Sequence, residues 1–326
     1  MKTINKNFGI ILLVVVSIIG LNSCDKENDD DIIVNSNAIS PGYLDLNTGM
    51  RIASFNSEEC GDALFFYSKD GKLEHIIRED NYKYSFNADN DSITFTYRDG
   101  REECDEDGIY TLGYNTKGIL SSVSISIQGK EGDSSVSTKW TARGGLSFVY
   151  DKYGHLEHLN YSGKDTWSTI YSNGRTASGS SDASISITFF WRKNLISSIE
   201  AVVHEGGDDD KAYVDSININ FEYNNPEYMN KYRQITPYTS LILWDELDLF
   251  SCLGLLGVGP EMLPSGGTSE YKRVRDGNKE SDEGYVVFGY DFSGDGAVTH
   301  CYVSDDNKID SNDCYCTFTY DYGVIK

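Results

Sequence analysis

The residues best equipped for chemistry are seven cysteines, five histidines, four tryptophans and a large excess of acid over base. Cys24 stands apart, because Leu21-Asn22-Ser23-Cys24 follows two early lysines (Lys2, Lys6) and the apolar run Phe8 to Gly20. That run is too short for a spanning helix, which needs about 20 apolar residues, but it fits the core of an export signal. A small residue before a thiol is the arrangement a lipoprotein signal peptidase needs: the cysteine sulfur takes the diacylglyceryl group, and cleavage makes Cys24 the mature N-terminus. Residues 1–23 therefore read as a lipoprotein signal peptide and residues 24–40 as a lipidated, flexible acidic tether (DKENDDD follows Cys24). Residues 41–326 read as a single domain.

Cys60, Cys104, Cys252, Cys301, Cys314 and Cys316 remain, an even number suited to disulfides outside the cytoplasm. Cys314 and Cys316 are two apart and project to the same strand face, so each needs a partner elsewhere, and Cys301 on the preceding strand is the nearest. Zinc is disfavoured, since no C-x2-C or H-x3-H spacing exists. Asp291, Ser293 and Asp295, followed by Gly296, match the start of a calcium loop, but position 12 is Tyr302 instead of a bidentate Glu. A hairpin turn is the stronger reading there, and no cofactor is expected. His155 and His158 are three apart, which on one strand sends them to opposite faces. No nucleophile elbow or glycine-rich nucleotide loop is present. Trp191 and Trp244 fall in apolar contexts and read as core, whereas Trp140 and Trp167 lie among polar residues and are candidates for stacking on a ligand such as a sugar.

The 326 residues carry 28 Lys and Arg against 51 Asp and Glu, a net charge of −23, which argues against nucleic acid as a partner. With 23 Tyr, 14 Phe, 31 Gly and only 5 Pro, the composition favours strands joined by tight turns. One pattern recurs: aromatic-x-aromatic, polar residues, Gly or Asn, then an aliphatic and an alternating run. It occurs as FFYSKDGKLEHII (65–77), LGYNTKGILSSVSISI (112–127), FVYDKYGHLEHLNY (148–161) and FFWRKNLISSIEAVV (189–203). Weaker copies begin at residues 95, 221, 288 and 318. Gly71, Gly118 and Gly154 sit where a hairpin needs positive φ, and Asn194 takes that place in the fourth copy. Copies are spaced 36–47 residues apart, enough for two hairpins or one long strand pair. The fold expected is mainly β: a large curved antiparallel meander, or partly closed barrel, of repeated hairpins. The apolar stretch from Pro237 to Pro264 breaks the pattern, and residues 240–256 read as one or two short helices on the concave face, ended by Gly254 and Gly257.

The lipidation signal, acidic tether, repeated hairpins and the segment NPEYMNKYRQITP (225–237) with LPSGG (263–267) together resemble a Bacteroidota lipoprotein family of unknown function (domain-of-unknown-function family 4595). The hairpins are also similar to tyrosine–aspartate repeats, as at Tyr150-Asp151 and Tyr290-Asp291. The resemblance implies a porin-like fold and an outer-membrane address, and it implies no catalytic residues. Charges on both strand faces argue against a barrel that spans the membrane. The expectation is a non-enzymatic, lipid-anchored envelope protein, held by its lipid on the cell surface or on the periplasmic face. Its partner would be an unknown envelope protein or a glycan. The alternatives are a glycan-binding accessory lipoprotein and an envelope glycan or peptide hydrolase.

Overall fold

A computed structural model describes residues 41–323 except 58–60, 79–80, 88, 90, 99–104, 117, 133–134, 208–212, 234–249, 251–252, 276–277, 306–307 and 310–312. The expected signal peptide, tether and Cys24 lie outside these residues, as do Cys60, Cys104, Cys252 and most of the expected helical segment.

The strands run in chain order: β1 (Tyr43–Asp45), β2 (Met50–Ser57), β3 (Gly61–Tyr67), β4 (Leu73–Arg78), β5 (Tyr82–Phe86), β6 (Ser92–Arg98), β7 (Asp105–Tyr114), β8 (Leu120–Gly132) and β9 (Val136–Tyr150). They continue as β10 (Leu156–Tyr171), β11 (Thr176–Arg192), β12 (Leu195–Gly207), β13 (Tyr213–Glu222), β14 (Gly266–Arg275), β15 (Asn278–Phe292), β16 (Val298–Ser304) and β17 (Cys314–Tyr322). From β2 to β17 each pairs antiparallel with the next, and β17 pairs with β2, closing a 16-stranded up-and-down barrel. The short β1 adds to β2 alone. Closure leaves no exposed sheet edge in that ring, which removes the usual template for aggregation. The meander expected from the repeats is therefore a complete barrel.

The strong copies of the repeat mark the β3–β4, β7–β8, β9–β10 and β11–β12 turns, all at one end of the barrel. Gly71, Gly118 and Gly154 have φ of 86, 75 and 82°, and Asn194 has 59°, the left-handed values the hairpins need. The inward side chains after each turn (Leu73, Leu120, Leu156, Ile196) are buried, and with Ile76, Leu159 and Ile199 they build an apolar core inside the barrel. Each such side chain contributes about 1.5–3 kcal/mol by leaving water.

A ring of this size would leave a lumen. The β13–β14 connection fills it at the same end: Phe250, Leu253, Leu255, Leu256 and Leu263 are buried within the core. Backbone bonds stitch this cap to the barrel turns, from Val258 N–H to Gly154 O (2.9 Å), Glu261 N–H to Asn194 O (3.0 Å) and Gly42 N–H to Leu253 O (3.2 Å). Gly254 has φ 71°, and Leu255 N–H donates to Phe250 O at 2.9 Å. That six-residue bond around a left-handed glycine is how an α-helix ends, so the expected stop at Gly254 is where the chain turns.

The barrel is lopsided. Strands β8 to β12 run 13–17 residues, whereas β2 to β6 run 5–8. At about 3.3 Å per residue the tall wall rises roughly 25 Å beyond the short one. Its outer face is mainly polar: Ser122, Ser124, Ser126 and Gln128 on β8 and Lys164, Thr166 and Ser168 on β10 are exposed, alternating with inward Val123, Ile125, Ile127, Gly163, Asp165 and Trp167, while Val149, Ile170 and Phe190 are large apolar side chains exposed among them. No described helix is long and apolar enough to cross a membrane.

Candidate functional site

Above the core, the inner face of the tall wall carries a row of aromatic rings and glycines. Direct cross-strand partners run Tyr82–Tyr97–Glu106–Gly129–Trp140–Trp167–Gly179 from β5 to β11. At its low end the row merges with the core: Tyr82 and Tyr97 stack at 4.6 Å, and Tyr82 Oη donates to Glu106 at 3.1 Å. At the high end Trp140 and Trp167 face each other across β9 and β10, and neither is buried in the core.

The two indoles spread apart onto glycines. A Cβ on Gly129 would stand 2.5–2.6 Å from Cε2, Cζ2 and Nε1 of Trp140, three adjacent ring atoms at nearly equal distance. The glycine therefore lies under the ring's face, not its edge. Trp167 covers Gly179 in the same way, with Cζ2, Cε2 and Nε1 at 2.6–3.0 Å from the corresponding point. Any side chain at either glycine would lift the ring. Each indole thus lies flat on the sheet with its other face turned to the interior of the barrel. Their Nε1–H groups donate to no described residue, unlike that of Trp191, which donates to Leu156 O at 2.8 Å.

Polar groups flank the pair. On one side Asp165, two residues before Trp167 on the same face, has no hydrogen-bond or ion-pair partner among the described residues, and burial raises its pKa. On the other side the Thr138 and Thr169 hydroxyls meet at 3.0 Å. Further round the wall, Asp215 is fully buried and receives Arg273 Nε at 2.8 Å, Arg273 Nη2 at 2.5 Å and Tyr271 Oη at 2.9 Å. The Arg273 guanidinium lies over the Tyr213 ring at 5.0 Å, and Tyr213 Oη donates to Glu205. This second cluster satisfies itself, whereas the first does not.

Other candidates have structural work instead. His155 lies in the β9–β10 turn, not on a strand; it is buried, its Nδ1 is 2.9 Å from Asp151 Oδ2, and it stacks on Trp191 at 4.2 Å. Burial pushes the Asp151 carboxyl up, but hydrogen bonds from the His155 ring and the backbone N–H groups of His155 and Tyr153 outweigh it and lower its pKa. His75 and His158 both point outward, His75 stacked on Phe66 and His158 beside Thr188. Asp291, Ser293 and Asp295 do not converge. Asp291 accepts from Tyr302 Oη, Ser293 Oγ accepts from Ala297 N–H within the β15–β16 turn, and the Asp295 carboxylate accepts from Tyr322. Among the described residues no group of three or more His, Cys, Asp or Glu gathers around one point.

Cys301 and Cys314 carry free thiols, so the bridge expected from Cys301 is not formed here. A register shift between Cys301 and Tyr302 puts Cys314 opposite Tyr302 and leaves Cys316 opposite Cys301. Glycoside hydrolysis uses a pair of facing carboxylates, one of them with a raised pKa. Asp165 is the one described carboxylate raised in this way. Of the segment 240–256 expected on the concave face, Phe250 is buried in the core, and residues 240–249 and 251–252 lie outside the described residues.

No protein-family model matches the chain, so the resemblance to the lipoprotein family of unknown function has no family match behind it. No curated protein matches it either. Among solved structures, the chain is similar to a porin-like protein from Bacteroides uniformis, 11% identical, with 83% of this chain and 96% of that chain covered and a TM-score of 0.36.

Proposed function

We propose that this chain is a lipid-anchored, non-catalytic binding barrel of a bacterial cell envelope, held by a diacylglyceryl group on Cys24 and displayed on the outer face of the outer membrane. The observation that carries this reading is the outer face of the tall wall: serines, threonines and charges dominate it, and its exposed apolar side chains Ile109, Val149, Ile170 and Phe190 each lie opposite a polar residue on a neighbouring strand (Ser126, His158, Ser137 and Ser198). A membrane-spanning barrel needs the reverse, an outward apolar band about 25 Å tall around a polar lumen. A barrel with a mainly polar exterior and an apolar core capped at one end stays in water and needs a separate anchor. The signal ending at Cys24 supplies one, and the acidic residues 25–31 form a tether of the kind that keeps a body clear of the surface. The flat indole pair, with its Nε1–H groups, and the unpartnered Asp165 support a binding surface.

Metabolic labelling with an alkynyl fatty acid tests the anchor: the wild-type chain should take up label and Cys24→Ala should not. Protease added to intact cells should digest the barrel. Label on Cys24→Ala, or a barrel protected in intact cells, would count against the reading. Purified protein added to a planar bilayer should give no conductance steps.

A further inference from the structure

The geometry points to a binding site for a neutral polysaccharide on the inner face of the tall wall, with Trp140 and Trp167 as its stacking platform; the inference rests on the binding-barrel reading above. Aromatic rings carry negative charge on their faces, and the axial C–H groups of a pyranose are slightly positive, so a sugar settles flat on an indole face. Two indoles laid flat from β8 to β11 make a shelf three interstrand spacings wide, about 14 Å. That suits several linked sugars better than one. Apolar stacking alone would accept any flat molecule, and the flanking groups narrow the choice. The Asp165 carboxylate has only acceptor capacity unused, the two Nε1–H groups have only donor capacity unused, and the Thr138 and Thr169 hydroxyls can do either. A sugar hydroxyl, donor and acceptor at once, matches all three.

Charge excludes the acidic glycans. The chain carries −23 overall, and Asp165 stands unpaired beside the shelf. A uronic acid or sulfate brought there would meet repulsion, with no cation among the described residues of the inner face free to offset it. Among the described bases of the wall, Arg273 is bound to Asp215, Lys164 faces outward toward Asp182, and Lys130, Lys139 and Arg143 are exposed on the outer face.

Affinity electrophoresis of the full chain in mild detergent through gels holding xylan, mannan, mixed-linkage β-glucan, starch or an acidic pectin tests this. Retardation is expected in at least one neutral polysaccharide and not in pectin. Trp140→Ala and Trp167→Ala should each weaken it by about tenfold or more, the scale seen when a stacking aromatic is truncated. Phe190→Ala, on the outer face and 41% exposed, should leave it unchanged. Where a tryptophan variant fails to fold, oxidation of the wild-type chain by N-bromosuccinimide replaces it. Bound polysaccharide should protect Trp140 and Trp167, as read by peptide mass spectrometry. No retardation in any neutral polysaccharide, retardation only in pectin, or retardation indifferent to both tryptophans would overturn the site. The fatty-acid labelling and protease results would stand apart from that failure.

Discussion

Tryptophan and aspartate are each used in two opposite ways at the two ends of this barrel. At the capped end Trp191 spends its N–H on Leu156 O and its face on His155, and Asp151 accepts from His155 and two backbone N–H groups. On the tall wall Trp140 and Trp167 have one face and their N–H groups unengaged by described residues, and Asp165 is half-buried with no partner. The carboxyl pKa values follow this difference: Asp151 is held down and Asp165 is pushed up. In these two pairs the saturated groups hold the fold together and the unsaturated ones face the open interior, although saturation is not complete at the capped end, where the buried Tyr150 Oη has no partner among the described residues.

The comparison breaks most visibly in the cap. Leu256→Ala, at a side chain 1% exposed, should cost about 2–5 kcal/mol in urea unfolding. A loss below about 1 kcal/mol would mean that the cap does not belong to the core. Next comes Asp151→Asn. A carboxyl with a lowered folded-state pKa contributes stability above its ordinary value of 3.8 and loses it as pH falls through the folded value. The variant should therefore be weaker than wild type by about 1–3 kcal/mol at pH 7, and the gap should shrink below about pH 4. A pH-independent gap would remove the ionic role assigned to Asp151. Gly254→Ala, at φ 71°, should cost about 1–2 kcal/mol by forcing a side chain into the left-handed region. The smallest effect has the opposite sign. Burial raises the Asp165 pKa, so its charged form is penalised once pH exceeds 3.8. Asp165→Asn should raise the urea midpoint slightly at pH 7 and not at pH 3. A drop at pH 7 would show that Asp165 already has a partner.

Much of the capped end was legible from the residues alone. Period-two alternation, the turn glycines and the aliphatics after them are local signals, and Gly254 ends its segment where glycine spacing placed the stop. Closure was not legible, because the β17–β2 pairing joins residues such as Tyr322 and Met50 that are distant in sequence and share no local pattern. The shelf was half legible. Polar surroundings singled out Trp140 and Trp167, but their meeting depends on a single register shift between Leu156 and His158 in β10. Without that extra residue Trp140 would face Thr166, and Trp167 would point to the outside. The glycines beneath the rings carried a signal too, since Gly129 and Gly179 interrupt strands that are otherwise free to bear side chains there.

The central claim is that this is a water-facing barrel joined to the envelope through its lipid alone. Replacing residues 1–24 with a secretion signal that is cleaved without lipidation tests it most directly. The account predicts that the barrel then leaves the membrane fraction and stays monodisperse in buffer without detergent, with an unchanged β-sheet circular dichroism spectrum. A barrel that still sediments with membranes after a carbonate wash would contradict it.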